Sequence, residues 1–182
     1  MKLIKNMCLV VFAIIIILFT VGYASQPIVS SGSTNIIASP GSNQNNVYDK
    51  TFYITHYINT SGNISNSYTQ STNYTDLNND LQILFVTVFY MCIAITVFLT
   101  VEILLAVIGL KFISKIVFLL VLIIMIITFL IIQVAILTNQ FVVMAENKNA
   151  TKPTVSNGTG YYLILIATCL MFVNYIIYLI LA

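Results

Sequence analysis

The sequence predicts an all-α integral membrane protein: a four-helix transmembrane bundle with a large, partly β or disordered exterior loop between helices 1 and 2. Three observations lead there. The 182 residues are 59% hydrophobic and 7% charged, where a soluble domain carries about 25% charge. Mean hydropathy is +1.00, so the chain has too little polar surface to face water on all sides. Between Leu81 and Leu137 only three charges occur, Glu102, Lys111 and Lys115, over a stretch long enough for two membrane helices of roughly 20 residues each.

Residues 1–24 form the first apolar element. Lys2 and Lys5 precede MCLVVFAIIIILFTVGYAS, which reads either as an uncleaved signal-like anchor or as a cleaved signal peptide. Gly22 and Ala24 suit a cleavage site and equally suit the small-residue end of a span. Residues 25–80 are hydrophilic. Their first half, SQPIVSSGSTNIIASPGSNQNN, has loop or locally disordered composition, with a turn signal at Pro40-Gly41. The run VYDKTFYITHYIN has β-branched and aromatic residues in partial alternation, predicting one strand or two short ones around Asp49-Lys50. TSGNISNSYTQSTNYT adds a hairpin turn at Ser61-Gly62 and a second polar strand. With few large aliphatics and no cysteine, this loop cannot hold a core alone, so it is expected to lean on the helix ends, the lipid surface or a partner.

The second helix is expected over 81–108, with Asp76, Asn78, Asn79 or Asp80 capping its start. A short turn follows at 109–115, where the only interior glycine of the hairpin, Gly109, meets Lys111 and Lys115. The third helix covers 116–138, a second, smaller exterior loop 139–160, and the fourth helix 161–182. Tyr161 and Tyr162 mark the outer interface of the last span. Cys8, Cys92 and Cys169 all lie in apolar segments, which leaves no loop disulfide. They read as small packing residues, with Cys8 the one candidate for lipidation.

Two signals orient the chain. Asn-x-Ser/Thr acceptors occur at Asn59, Asn63, Asn73, Asn149 and Asn157, three in the first loop and two in the second, as glycosylatable exterior segments require. Lys2, Lys5, Lys111 and Lys115 crowd two very short segments, the pattern of cytosolic connections. Both signals place the N- and C-termini in the cytosol, in the plasma membrane or a secretory-pathway or viral envelope membrane.

Glu102 stands out chemically, because a carboxylate inside a span is expensive and usually functional. Three readings apply: a boundary pair with snorkelling Lys111 or Lys115, an interhelical bond to Asn174 or a threonine, or an ion or proton role. Gln133 and Asn174 carry amides that lipid cannot satisfy. Gln133 is placed near the outer interface. Thr96 and Thr100 share a helix face and can bond the preceding turn. His56 is the one histidine and makes neither a triad nor a metal set. No nucleotide, hydrolase, zinc or redox motif occurs. The chain is therefore expected to be no enzyme, to need no cofactor and to bind no nucleic acid.

The layout resembles the broad tetraspan class, which includes claudin-like and tetraspanin-like proteins. Claudin-like proteins carry a tryptophan and paired cysteines in the first loop, and this chain has neither. Tetraspanins place their large loop between helices 3 and 4, where this chain has the small one. The likeness is one of topology, and no family follows from it. It implies a non-enzymatic protein whose exterior loops mediate adhesion, assembly or partner organisation, with the lipid bilayer, other membrane proteins or its own copies as partners. The alternative is a channel, a transporter or an accessory subunit that uses the polar intramembrane residues around Glu102.

Overall fold

The computed structural model describes residues 2–39, 42–63, 66–73, 80–137 and 154–181. Four helices run α1 (Lys2–Ala24), α2 (Asp80–Ile108), α3 (Lys111–Leu137) and α4 (Thr159–Leu181). Each contains a stretch long and apolar enough to cross a bilayer: Met7–Ala24, Gln82–Ile108, Phe112–Leu137 and Thr159–Ile180. α1 packs against α2 and α4, and α3 against α2 and α4, so the four close into a bundle.

Burial inverts the pattern of a water-soluble bundle. Outer faces carry Ile83, Val97, Leu104, Ile108, Ile123, Leu130, Phe172 and Ile180, all exposed, whereas Glu102, Ser114, Thr128, Thr168 and Asn174 are buried. Water cannot tolerate so much bare aliphatic surface, and lipid can. The protein is a multi-pass membrane protein.

The interior is filled by one column of apolar side chains, including Phe12, Ile15 and Phe19 from α1, Ile95 and Leu99 from α2, Phe118, Val121 and Met125 from α3, and Ile164, Ala167 and Met171 from α4. Four threonines inside the spans satisfy themselves, whereas the buried Thr20 Oγ1 has no partner among the described residues. Thr128 donates to Ile124 O at 2.8 Å, Thr168 to Ile164 O at 2.8 Å, Thr96 to Cys92 O at 3.0 Å and Thr100 to Thr96 O at 2.9 Å. Each hydroxyl thereby reuses a carbonyl of the preceding turn.

The connection between α2 and α3 is shorter than the 109–115 turn expected from sequence. α3 begins at Lys111, leaving Gly109 and Leu110 outside both helices. Gly109 takes φ +90°, a left-handed value that glycine adopts without a Cβ penalty. Leu105 O accepts from both Gly109 N and Leu110 N at 3.1 Å, which closes the helix end and reverses the chain at once. Ser114 and Lys115 consequently belong to α3.

At the other end stands an antiparallel five-stranded sheet of β1 (Val29–Ser39), β2 (Ser42–Phe52), β3 (His56–Asn63), β4 (Asn66–Asn73) and β5 (Thr154–Asn157), in the order β4-β3-β2-β1-β5. This corrects three expectations. The segment after Ser25, read as loop or disordered, supplies all of β1 and the start of β2, because each polar strand has a paired neighbour to satisfy its backbone. Asp49 and Lys50 do not break a strand; they pair with Gly32 and Ser31 on one side and with Thr60 and Asn59 on the other. Ser61 and Gly62 are strand residues paired with Tyr68 and Ser67, so the reversal lies beyond Asn63. The turn signal at Pro40-Gly41 falls outside the described residues, and Ser39 and Ser42 pair on either side of it.

The sheet draws on both hydrophilic loops. β5, from the second, pairs with β1 from Val29↔Asn157 to Gly32↔Thr154. The base of the sheet is apolar: Ile28, Val29, Phe52 and Ile54 are buried, and Tyr57 packs against them within the same cluster as Phe19, Tyr23, Phe85 and Tyr161. The sheet thus continues the bundle core at one mouth of the bundle, the lean on helix ends expected of a loop without a core.

Candidate polar site at the turn end of the bundle

Glu102 on α2 is 1% exposed. It is carried inward because the rest of its helix turn is needed outward: Val101, Leu104 and Val107 face the surface while Leu99 and Ala106 share the buried side. Ser114, in the first turn of α3, is also buried and donates its hydroxyl to Glu102 Oε1 at 2.5 Å. That contact exists because the two-residue reversal brings the last turns of α2 beside the first turn of α3. Ser114 Oγ lies 3.0 Å from Tyr178 OH on α4; while the serine hydroxyl donates to Glu102 the tyrosine donates to the serine, and the direction can reverse when the carboxyl is protonated. One carboxyl and two hydroxyls from three helices therefore form a continuous chain.

The chain is capped on its sheet side by aromatic rings. Phe118, one turn beyond Ser114, meets Phe12 edge-on with centroids 4.6 Å apart. It also packs against Tyr175 at 5.0 Å and stacks on Tyr178 at 5.7 Å. Ring contacts of this kind are worth ≈ 0.5–1.5 kcal/mol beyond the area they bury, and here they fix the Tyr178 ring whose hydroxyl reaches Ser114.

Two buried polar atoms at this end have no hydrogen-bond partner, Glu102 Oε2 and Asn174 Nδ2. Asn174 is 3% exposed and lies one turn before Tyr178 on α4. The expected boundary pair is not formed by Lys115: the partner of Glu102 among the described residues is Ser114, and the Lys111 side chain lies outside them. An interhelical bond from Glu102 to Asn174 is likewise not among the described hydrogen bonds.

Gln133 is elsewhere. It accepts from Tyr161 OH at 2.6 Å between α3 and α4, at the sheet end. Tyr161 also packs on Phe129, with centroids 5.5 Å apart. Gln133 thus lies at the sheet end of the bundle and is bonded to another helix. The structure gathers Glu102 and Asn174 at one end and leaves Gln133 at the other, so the polar residues do not line a single column. Ser114 and Tyr178 were not singled out by the sequence reading.

Of the acceptor asparagines, Asn59 stands in β3 and Asn157 is exposed in β5. Asn63 and Asn73 end strands, their side chains outside the described residues, and Asn149 lies wholly outside them. His56 stacks on Tyr53 at 4.5 Å and bonds Thr55 Oγ1 at 2.9 Å. No group of three or more His, Cys, Asp or Glu able to hold a metal ion occurs among the described residues. Cys8, Cys92 and Cys169 are free thiols, the first two buried. No family model matches the chain, and no curated protein matches it.

Proposed function

We propose that this multi-pass membrane protein handles ions, as a subunit of a channel or transporter or as the accessory subunit of one, and that Glu102 is its working group. The observation that carries the reading is a carboxyl 1% exposed inside a transmembrane bundle, with one oxygen bonded to Ser114 and the other without a partner. Burying such a group costs several kcal/mol whether or not it is used, and carboxyls at such sites are retained mainly where they have a function. Between this site and the sheet the interior is filled by Leu99, Phe118, Val121 and Met125, which favours an accessory role or a path shared with a partner over a pore through one copy. The reading is non-catalytic. The lysine and acceptor-site distributions support a cytosolic turn end and an exterior sheet.

A second reading has its own observation. The two hydrophilic loops join in one sheet that rises from the bundle mouth, a platform suited to adhesion, assembly or partner organisation, with glycans at its acceptor asparagines. The two readings separate in membrane vesicles from the native host carrying wild type or Glu102→Gln, loaded with pH- and alkali-cation-sensitive dyes under an imposed gradient. Ion handling predicts at least a tenfold loss of flux in E102Q at equal protein level. Equal flux in the two would overturn it and leave the platform reading.

A further inference from the structure

The chemistry around Glu102 discriminates between the ions it could serve. Glu102 stands about two turns before the end of α2, and Asn174 about two turns before the end of α4, so both lie at similar depth from the turn end. A hard metal cation needs six or more oxygen ligands. The described groups here offer one carboxyl oxygen that is not already bonded, while Asn174 presents an unpartnered donor, Nδ2. Ser114 Oγ is engaged on both sides, by Glu102 and by Tyr178. A proton requires a single acceptor atom and a hydrogen-bonded line along which to arrive, and both are present.

We infer that Glu102 is a proton-binding site loaded from the turn end through the Tyr178–Ser114 hydroxyl pair; this rests on the ion-handling reading and names its ion. The step is balanced within the line. A hydronium at the turn end gives a proton to Tyr178 OH as the tyrosyl O–H proton passes to Ser114 Oγ. The serine O–H proton passes to Glu102 Oε1, so that a carboxyl O–H forms, a water molecule is left behind and both hydroxyls are restored. Once the carboxyl is protonated the direction across the 3.0 Å contact can reverse, so the same line unloads the site. Tyr178 is half-buried and lies one turn before the end of α4, whereas Glu102 and Asn174 lie about two turns in, so it stands on the turn-end side of the carboxyl. Toward the sheet, the Phe12–Phe118–Tyr175 aromatic group and the apolar column block further transfer.

The other titratable groups of this end are Tyr175 on α4, Cys8 on α1, Lys115 and Lys111 on α3, and Lys2 and Lys5 at the start of α1, whose side chains lie outside the described residues. Cys8 is buried and Lys115 half-buried. None of them bonds Glu102 among the described residues, and Lys111 is described in its backbone alone.

The test is infrared difference spectroscopy of the full chain in lipid vesicles during a pH step, following the C=O stretch of a protonated carboxyl. Wild type is expected to show a titrating band that E102Q lacks. Tyr178→Phe and Ser114→Ala are expected to reach the same final amplitude at least tenfold more slowly, with Ser114→Thr restoring the rate. An unchanged rate in Y178F overturns the relay even where E102Q abolishes flux, which leaves the ion-handling reading standing. A band that moves with added sodium or calcium but not with pH overturns the proton assignment. A normal band with Glu102-independent flux retains the site and removes the transport reading.

Discussion

At the sheet end of the bundle, Tyr161 donates to Gln133 at 2.6 Å and both polar groups are served. At the turn end, Ser114 serves one oxygen of Glu102 while the other, and the amide nitrogen of Asn174, go without. The backbones differ in the same sense. Near the sheet, Gly160 N donates to Pro27 O and Gly158 N to Ile28 O, both at 2.8 Å, locking the start of α4 to the exit of α1. At the turn, a Cβ added at Gly109 would meet nothing within 4 Å. One end is locked by direct backbone contact, though Thr20 Oγ1 and Asn59 Oδ1 are buried there without a described partner; the other leaves a carboxyl oxygen and an amide nitrogen unpartnered behind an aromatic cap. What distinguishes the turn end is that its unpartnered atoms include an ionisable carboxyl inside a span, which calls for an explanation more strongly than a hydroxyl or an amide does.

The largest effect should come from breaking the closed end. A Cβ at Gly158 would sit 2.2 Å from Pro27 O, and one at Gly160 2.5 Å from Gly22 O. Both obstacles are backbone, which cannot rotate away. Gly158→Val is expected to cost about 3 kcal/mol, read as a lowered unfolding midpoint in detergent together with loss of the β signal in circular dichroism. Gly109→Ala, strained only by its positive φ, should cost about 1 kcal/mol.

A smaller effect of opposite sign sharpens the contrast at the open end. Glu102→Leu removes a half-satisfied buried carboxyl and should leave stability unchanged or raise it by about 1 kcal/mol. Ser114→Ala, which strips the one described donor from that carboxyl, should lower it by about 1–3 kcal/mol. If E102L proved strongly destabilising in the same unfolding assay, the carboxyl would be a structural strut and the two ends would not differ in kind. Smallest of all, Tyr161→Phe should cost about 0.6 kcal/mol, the usual worth of an interhelical bond in a membrane, and leave any ion flux at its wild-type level.

The spans were legible because a helix in lipid must satisfy its own backbone and meet hydrocarbon, and both demands are written locally as runs such as IVFLLVLIIMIITFLII. Glu102 and Asn174 were legible for the complementary reason, as polar groups where lipid offers no partner. The sheet was only half visible. Tyr48 to Ile58 showed strand character, but β1 and β4 are Ser-, Thr- and Asn-rich without the period of two that marks a half-buried strand. Their strand identity comes from pairing, and β5 finds its partner 126 residues back in the chain, where Ser156 Oγ donates to Ser30 O at 3.3 Å. Ser114 and Tyr178 were missed because a serine in a helix and a tyrosine near an interface are ordinary by themselves. The usable signal was position. Ser114 falls within about two turns of Gly109 on one side as Glu102 does on the other, so a tight hairpin brings them to one level.

The pairing of β5 with β1 has a consequence for how the chain is made. β1 to β4 can zip together as soon as they emerge, each beside the one before, yet the margin of β1 from Val29 to Gly32 stays bare until both central spans have been threaded and residues 154–157 arrive. Through that interval an unsatisfied row of amides and carbonyls stands ready for any extended polypeptide nearby. Biogenesis of this protein therefore contains a waiting period, in which a chaperone or the speed of synthesis decides whether that margin is closed by its own chain or captured by another.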